Sequence, residues 1–259
     1  MIISANLGGL CNRIKSLVSC CRLADQIGVH WVSNNHLKCS FDDLFENDFI
    51  EYPNLHVNTA VYDSWRLAVL EEDVIQNGFS TQFEAERFSD PDPHGRNIDF
   101  EYDRIPMNVR EAYGTQFKML KFRQGIREMA ASFAQNFSPY TISVQIRSWR
   151  DSDPRHKRLF SLEKFVAHMT AAPRSVDFFV SSDSSEVISS LRSRFGNRVL
   201  VYPRRGSRKS SRLTREGVHD DLVELLLLAK NKTLIGSYIS TFSEVAWWLG
   251  ECKAKVTIA

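Results

Sequence analysis

Four short stretches of this sequence put polar side chains where a strand gives way to a helix. Gly8-Gly9-Leu10-Cys11-Asn12-Arg13 follows the apolar opening run. Two glycines let a ligand's phosphates approach the backbone, and the next helix offers free N–H groups and a positive dipole end. Without the full dinucleotide fingerprint the signal is weak, and a plain tight turn fits equally well. Val144-Gln145-Ile146-Arg147 ends a second apolar strand in an arginine, whose planar fork suits a phosphate. Arg150, Asp151 and Asp153 lie on the adjoining loop; a surface loop with ion pairs is the competing reading.

The third stretch is Ser182-Asp183-Ser184-Ser185-Glu186. Its serines read first as helix caps, as does Asp183, which could also accept from a ligand hydroxyl or base. In the fourth, Gly236 to Glu244, Thr241 and Glu244 have capping-box spacing. The hydroxyls of Ser240 and Thr241 with free helix N–H groups also make an anion site. Arg204 to Arg215 carries six cations and no aromatic residue. That stretch reads as a mobile, solvated loop, then as a lid over an anionic ligand or an acceptor-binding loop. A single-stranded nucleic-acid site would add stacking aromatics.

His156, between Arg155 and Lys157, reads as exposed. Asp220 and Asp221 read as favourable charges near a helix start. No histidine pattern points to a metal, so neither metal nor other cofactor is expected.

These residues need strands to carry them. The N-terminal half begins β-α-β: a strand over 1–7, a helix over 12–28 and a strand over 29–32. From 34 to about 113 the pattern is irregular, with a short helix over 41–45, a strand over 55–61, a helix over 71–77 and a loop over 89–95. One long amphipathic helix is expected over 116–137, ending before Ser138-Pro139. After it, strands over 141–147, 177–182, 198–202, 233–237 and 255–258 alternate with helices over 161–171, 184–195, 218–230 and 241–249. That alternation means βαβ units and a parallel sheet, whose ligands bind beyond the strands' carboxyl ends. The fold class is α/β, with an N-terminal lobe over 1–137 and a C-terminal lobe over 138–259.

Composition bounds the function. The 259 residues hold 33 basic and 31 acidic side chains, a formal net charge of +2, which speaks against a dedicated nucleic-acid or membrane-surface protein. No apolar run approaches the ~20 residues of a spanning helix. The opening MIISANLGG lacks the basic start and cleavage site of a signal peptide. Five cysteines without a CxxC pair indicate neither a disulfide framework nor a zinc site, and a reducing cytoplasm is the expected setting.

Together these motifs resemble the fucosyltransferase superfamily of the nodulation, α-1,6- and protein O-fucosyltransferases. GGLCNR is similar to its glycine-rich turn, at Gly8 and Asn12. VQIRSWRD is similar to its His-x-Arg strand end, at Arg147, with Gln145 in place of the histidine and Ser148 in place of a frequent second arginine. DLVELLLLAKNKTLIGSYISTFSEVAWWLG is similar to its C-terminal motif, at Glu224 and Ser240. The resemblance implies two facing Rossmann-like lobes of GT-B type, an acceptor side in the first and the nucleotide-sugar in the second. It implies inverting, metal-independent transfer of fucose from GDP-fucose to a glycan or other hydroxyl. Arg147 would grip the β-phosphate, helped by Ser240 and Thr241. Gly8, Gly9, Asn12 and Arg13 would approach the donor from the other lobe, and Asp183 and Glu224 would contact the nucleoside side. Arg150, Asp151 and Asp153 complete the candidate catalytic set. Transfer from another sugar nucleotide, and sugar-nucleotide or glycan binding without turnover, are the alternative readings.

Overall fold

The computed structural model describes residues 2–23, 25–54, 107–149, 152–238 and 240–259. The expected strand over 55–61, helix over 71–77 and loop over 89–95 lie outside the described residues, as do Arg150 and Asp151. The chain forms two compact units, one of residues 1–123 with 212–218 and one of 124–211 with 219–259.

Unit one is built on a three-stranded parallel sheet in the order β1 (Ile2–Ser4), β2 (Ile27–Val29), β3 (Ile50–Glu51). Helix α1 (Leu10–Leu23) connects β1 to β2 and buries Ile14, Leu17 and Val18. Helix α2 (Met107–Met119) packs on α1 through Tyr113. Residues 41–45 make a single turn that places Phe41 and Phe45 face to face, 4.7 Å apart, with Trp31 edge-on to both at 5.6 Å. The returning stretch 212–218 is fixed to this unit twice. The Lys38 N–H donates to the Arg212 carbonyl (2.8 Å), and Arg215 pairs with Asp43 (2.6 Å).

The single long helix expected over 116–137 is two helices, α2 and α3 (Gln124–Ala134). The break at 120–123 has a packing cause. Phe122 bridges to Phe45 as an extended pair, Glu46 N–H donates to Lys121 O, and the Asn47 side chain takes Lys121 N–H and gives to Met119 O. An aromatic seat and three hydrogen bonds to the backbone of Met119 and Lys121 outweigh local helical periodicity. Beyond the break, Phe133 and Phe137 pack on Phe179 at 5.8 and 5.2 Å. Hence α3 belongs to unit two, and the division falls at 123/124 where the sequence pointed to 137/138.

Unit two follows the alternation read from the sequence. Its five strands are β4 (Ile142–Ile146), β5 (Phe178–Ser182), β6 (Val199–Leu200), β7 (Thr233–Gly236) and β8 (Lys255–Ile258). They lie in the order β6-β5-β4-β7-β8, every pair parallel. Helices α4 (Pro154–Leu159), α5 (Leu162–Ala171), α6 (Ser185–Phe195), α7 (Arg215–Leu228) and α8 (Thr241–Leu249) make the connections. Central strands covered on both faces read as continuous apolar runs; all five residues of β5 are buried. Val144, Ile146, Phe165, Met169, Phe178, Val180 and Leu191 form one core. Helix α4 occupies part of what the sequence presented as a polar loop. No described helix is long and apolar enough to cross a membrane.

No disulfide joins the described cysteines. Burial pushes the thiols of Cys21 and Cys39 up to about 12, and the carboxylate of Asp43 adds to the effect at Cys39. The thiolate is the reactive form. A thiol-disulfide reagent at pH 8 therefore leaves Cys39 unmodified in the native protein and modifies it only on unfolding. Labelling of native Cys39 within minutes would contradict its placement.

Candidate functional site

In unit two β4 comes first, the chain winds outward through β5 and β6, and β7 then returns to β4's other side. The winding reverses between β4 and β7, and such a switch point leaves a crevice beyond the strands' carboxyl ends. Four residues of interest stand there: Arg147 just past β4, Ser237 just past β7, and Ser240 and Thr241 at the start of α8.

Arg147 is held at both ends yet stays accessible. Its N–H donates to Ser237 Oγ (2.7 Å), and its Nη1 lies 3.1 Å from Asp183 Oδ2 with the side chain 43% exposed. The rest of its guanidinium has no partner among the described residues. Asp183 is the positioning group: its Oδ1 accepts from both the N–H and the hydroxyl of Ser148, each at 2.8 Å. Its observed contacts are therefore to the Arg147 loop. Trp149 closes that loop, buried and at a φ of 57°. A bulky residue pays to hold the left-handed region, and such strain clusters at functional sites. His156, read as exposed, is half-buried instead, with Nδ1 2.6 Å from Ser148 O and its ring against Phe160. Asp153 precedes Pro154, the first residue of α4, and its carbonyl accepts from His156 N–H (2.9 Å).

The cap of α8 is Ser240, one residue earlier than the sequence spacing indicated. Its Oγ accepts from Ser243 N–H at 3.5 Å. Thr241 becomes the first helical residue, and Glu244 moves beyond the capping-box position. Glu244 is buried and accepts from Trp248 Nε1 (3.3 Å). The first amides of a helix have no intrahelical acceptors, so this end presents N–H groups and a positive dipole to the crevice. Ser184, by contrast, caps α6 as the sequence indicated, accepting from Val187 N–H at 3.2 Å.

The basic loop is pinned, not free. Three carboxylates on α7 hold it. Asp220, fully buried, accepts from the amides of Arg205 (2.7 Å) and Gly206 (2.9 Å). Asp221 binds Arg204 (2.6 Å) and Ser211 (2.8 Å). Glu224, 1% exposed, takes Arg204 (3.1 Å) on one oxygen and Arg208 (2.8 Å) on the other, with Ser181 Oγ at 2.7 Å. Burial pulls Arg204 toward deprotonation, and Asp221 and Glu224 more than reverse this. Helix α7 starts at Arg215, so these acids stand in its second and third turns and act on the loop, not on the helix dipole. Glu224 faces two arginines where the resemblance had it facing a nucleoside. The sequence did carry a signal: acids at i, i+1 and i+4 on one helix follow cations of matching spacing.

Pinning gives the loop a fixed wall. Between it and α6 lies a groove of about 490 Å³, with Ile188, Val201 and Tyr202 as apolar lining and Ser185, Ser189 and Arg192 along the helix side. Its volume lies in the range of small-ligand sites, and none of the described residues that line it is acidic.

In unit one, Gly8 turns tightly, its N–H on Asn6 Oδ1 at 2.8 Å. A Cβ there would lie 2.9 Å from that oxygen and 3.0 Å from Asn12 Nδ2, whereas Gly9 faces open space. Gly8→Ala accordingly pushes the Asn6 amide off the Gly8 N–H and loses about 1 kcal/mol, the net worth of that hydrogen bond, measured by urea unfolding, while Gly9→Ala changes stability little. Equal losses at both positions would contradict the geometry. Asn12 Oδ1 is buried with no partner among the described residues. Arg13, expected to face the donor, is 1% exposed. It donates to the carbonyls of Gly8 (2.8 Å), Val32 (2.8 Å) and Leu7 (3.4 Å) and lies 5.3 Å from the Trp31 ring centroid. It holds the turn from inside. No group of three His, Cys, Asp or Glu side chains able to hold a metal occurs among the described residues.

Two α/β units with parallel sheets, the second wound about a switch point, define the GT-B type of fold. Solved structures share it. A NodZ α-1,6-fucosyltransferase co-crystallised with GDP matches at a TM-score of 0.57 and 18% identity, over 95% of this chain and 90% of that one. A point mutant of Arabidopsis thaliana FUT1 in complex with GDP matches at 0.56 and 15%, over 99% and 69%. POFUT1 in complex with GDP-fucose matches at 0.55 and 11%, over 99% and 97%. This chain thus has the fold of the fucosyltransferase-like structures. No protein-family model and no curated protein matches its sequence.

Proposed function

We propose that this chain is a glycosyltransferase of fucosyltransferase type, transferring fucose from GDP-fucose to a hydroxyl acceptor with inversion. The observation that carries it is the exposed Arg147 guanidinium at the switch point that also receives the amino end of α8. Charge develops on the departing diphosphate as the glycosidic C–O bond breaks. A fixed cation and preorganised N–H dipoles stabilise that charge, so the reaction draws on them where other transferases use a metal. The nucleoside would lie along the groove beside α6, whose acid-free lining is compatible with the donor's negative charge. Gly8, Gly9, Asn12 and Thr241 are proposed donor contacts as well. Asp153 is a proposed base for the acceptor hydroxyl. Similarity to structures holding GDP and GDP-fucose supports the choice of donor.

The test is nucleotide release from GDP-fucose, GDP-mannose and UDP-glucose in a chelator. GDP released fastest from GDP-fucose supports the reading. Preference for UDP-glucose would keep a sugar-nucleotide transferase and overturn the fucosyl assignment. Binding without release from any donor would leave a sugar-nucleotide-binding protein.

A further inference from the structure

The ladder between β4 and β7 is short. It runs through Ser143↔Leu234 and Val144↔Ile235 and stops, whereas β4 and β5 stay paired to Ile146↔Ser182. The strands part where the crevice opens, so backbone pairing does not fix Arg147 relative to β7 and α8. Side chains take over. Ser237 Oγ accepts the Arg147 N–H (2.7 Å) and donates to the Gln145 carbonyl (3.1 Å). The Gln145 side chain reaches the other way, its Oε1 accepting from Ser243 Oγ at 2.6 Å. Ser243 is in the first turn of α8 and donates its N–H toward the Ser240 cap. Gln145 therefore sits in the middle of a continuous path from the Arg147 backbone to the end of α8.

The path is dry. Gln145 is 4% exposed, Ser237 3% and Ser243 0%. Hydrogen bonds in such surroundings are strong, and unpaired groups there are costly. A Cβ at Gly236 would lie 3.1 Å from Ser243 Oγ, so the glycine is what lets that hydroxyl sit against β7. Burying an amide costs free energy that an apolar side chain of similar size would not. What the amide adds is geometry: it ties β4, two residues before Arg147, to the first turn of α8.

We propose that Gln145 is a positioning residue that, through Ser243 and Ser237, holds Arg147 and the amino end of α8 as one rigid anion clamp. This rests on the reading of the crevice as the diphosphate site. Misplacing a charge by about 1 Å can cost as much as a hundredfold in rate. Groups that act as one unit also lose activity non-additively.

The experiment compares Gln145→Leu, Ser243→Ala and the double variant by kcat and KM for GDP release from GDP-fucose, with melting temperature alongside. Each single variant is expected to lower kcat about ten- to a hundredfold with KM within about threefold. The double variant is expected to be no worse than the weaker single. Effects that multiply, kcat within twofold of wild type, or raised KM at normal kcat would each overturn the inference. Ser243→Ala removes one atom and carries the test if Gln145→Leu does not fold. Wild-type protein that neither binds GDP nor releases it from GDP-fucose would overturn the diphosphate reading itself, and the inference with it. Normal wild-type turnover with unaffected variants would overturn the inference alone.

Discussion

Arg147→Ala is expected to lower GDP release from GDP-fucose about a hundredfold or more. Removing one preorganised donor to a developing oxyanion costs about 3 kcal/mol, and this donor is a full charge. Arg147→Lys should restore only part of the rate, because an ammonium cannot reproduce the fork of a guanidinium. The fold should survive both changes. The side chain is 43% exposed and its single carboxylate partner, Asp183, keeps both Ser148 donors. Surface ion pairs of this kind contribute little to stability. Steady-state kinetics with a melting curve separates the two effects. Near-normal turnover in Arg147→Ala would remove Arg147 from the chemistry.

The largest loss of stability is expected at Glu224. Glu224→Leu leaves Arg208 without its carboxylate and takes one of two from Arg204, both guanidinium groups lying in a protein interior. Side-chain exposure is 5% for Arg204 and 10% for Arg208. Removing one partner of a buried ion pair costs about 3–5 kcal/mol, mostly through the charge left behind. A contrasting pair exists on the surface. Arg194 grips both oxygens of Glu163, at 2.7 and 2.9 Å, yet both side chains are exposed, so Glu163→Ala should leave the urea midpoint unchanged. A Glu224→Leu protein as stable as wild type would show that α7 does not anchor the loop. Because that loop walls the groove, the variant should also weaken nucleotide binding even where it remains folded.

The sequence made unit two legible because each apolar run there has one use. A strand buried on both faces cannot be written otherwise, and Gly196 or Ser184 punctuates the helices that follow. Arg147, Ser240 and Asp183 were found as strand-end residues, and topology brings all three to one sheet edge. Their partners were less legible. Ser148, Ser237 and Ser243 lie within the quoted stretches without a role of their own there; Ser148 finds one on Asp183, and the parting of β4 from β7 gives one to Ser237 and Ser243. The basic loop misled for a related reason: charge alone reads as solvation, while the acids that hold it lie some 16 residues on, as in the pair Arg208 and Glu224. Arg13 misled because a glycine-rich turn followed by arginine reads as a phosphate site, yet three carbonyls and Trp31 account for the side chain. The break between α2 and α3 was invisible locally because its cause, the seat of Phe122 on Phe45, lies 77 residues away.

The measurement that bears most directly on the central claim is a calorimetric titration of wild-type protein with GDP in a metal chelator, repeated with UDP and with the Arg147→Ala variant. Saturable one-site binding of GDP, much weaker binding of UDP and a loss of GDP affinity when Arg147 is removed are expected. Equal affinity for both nucleotides, or GDP binding that Arg147→Ala leaves untouched, would contradict that claim.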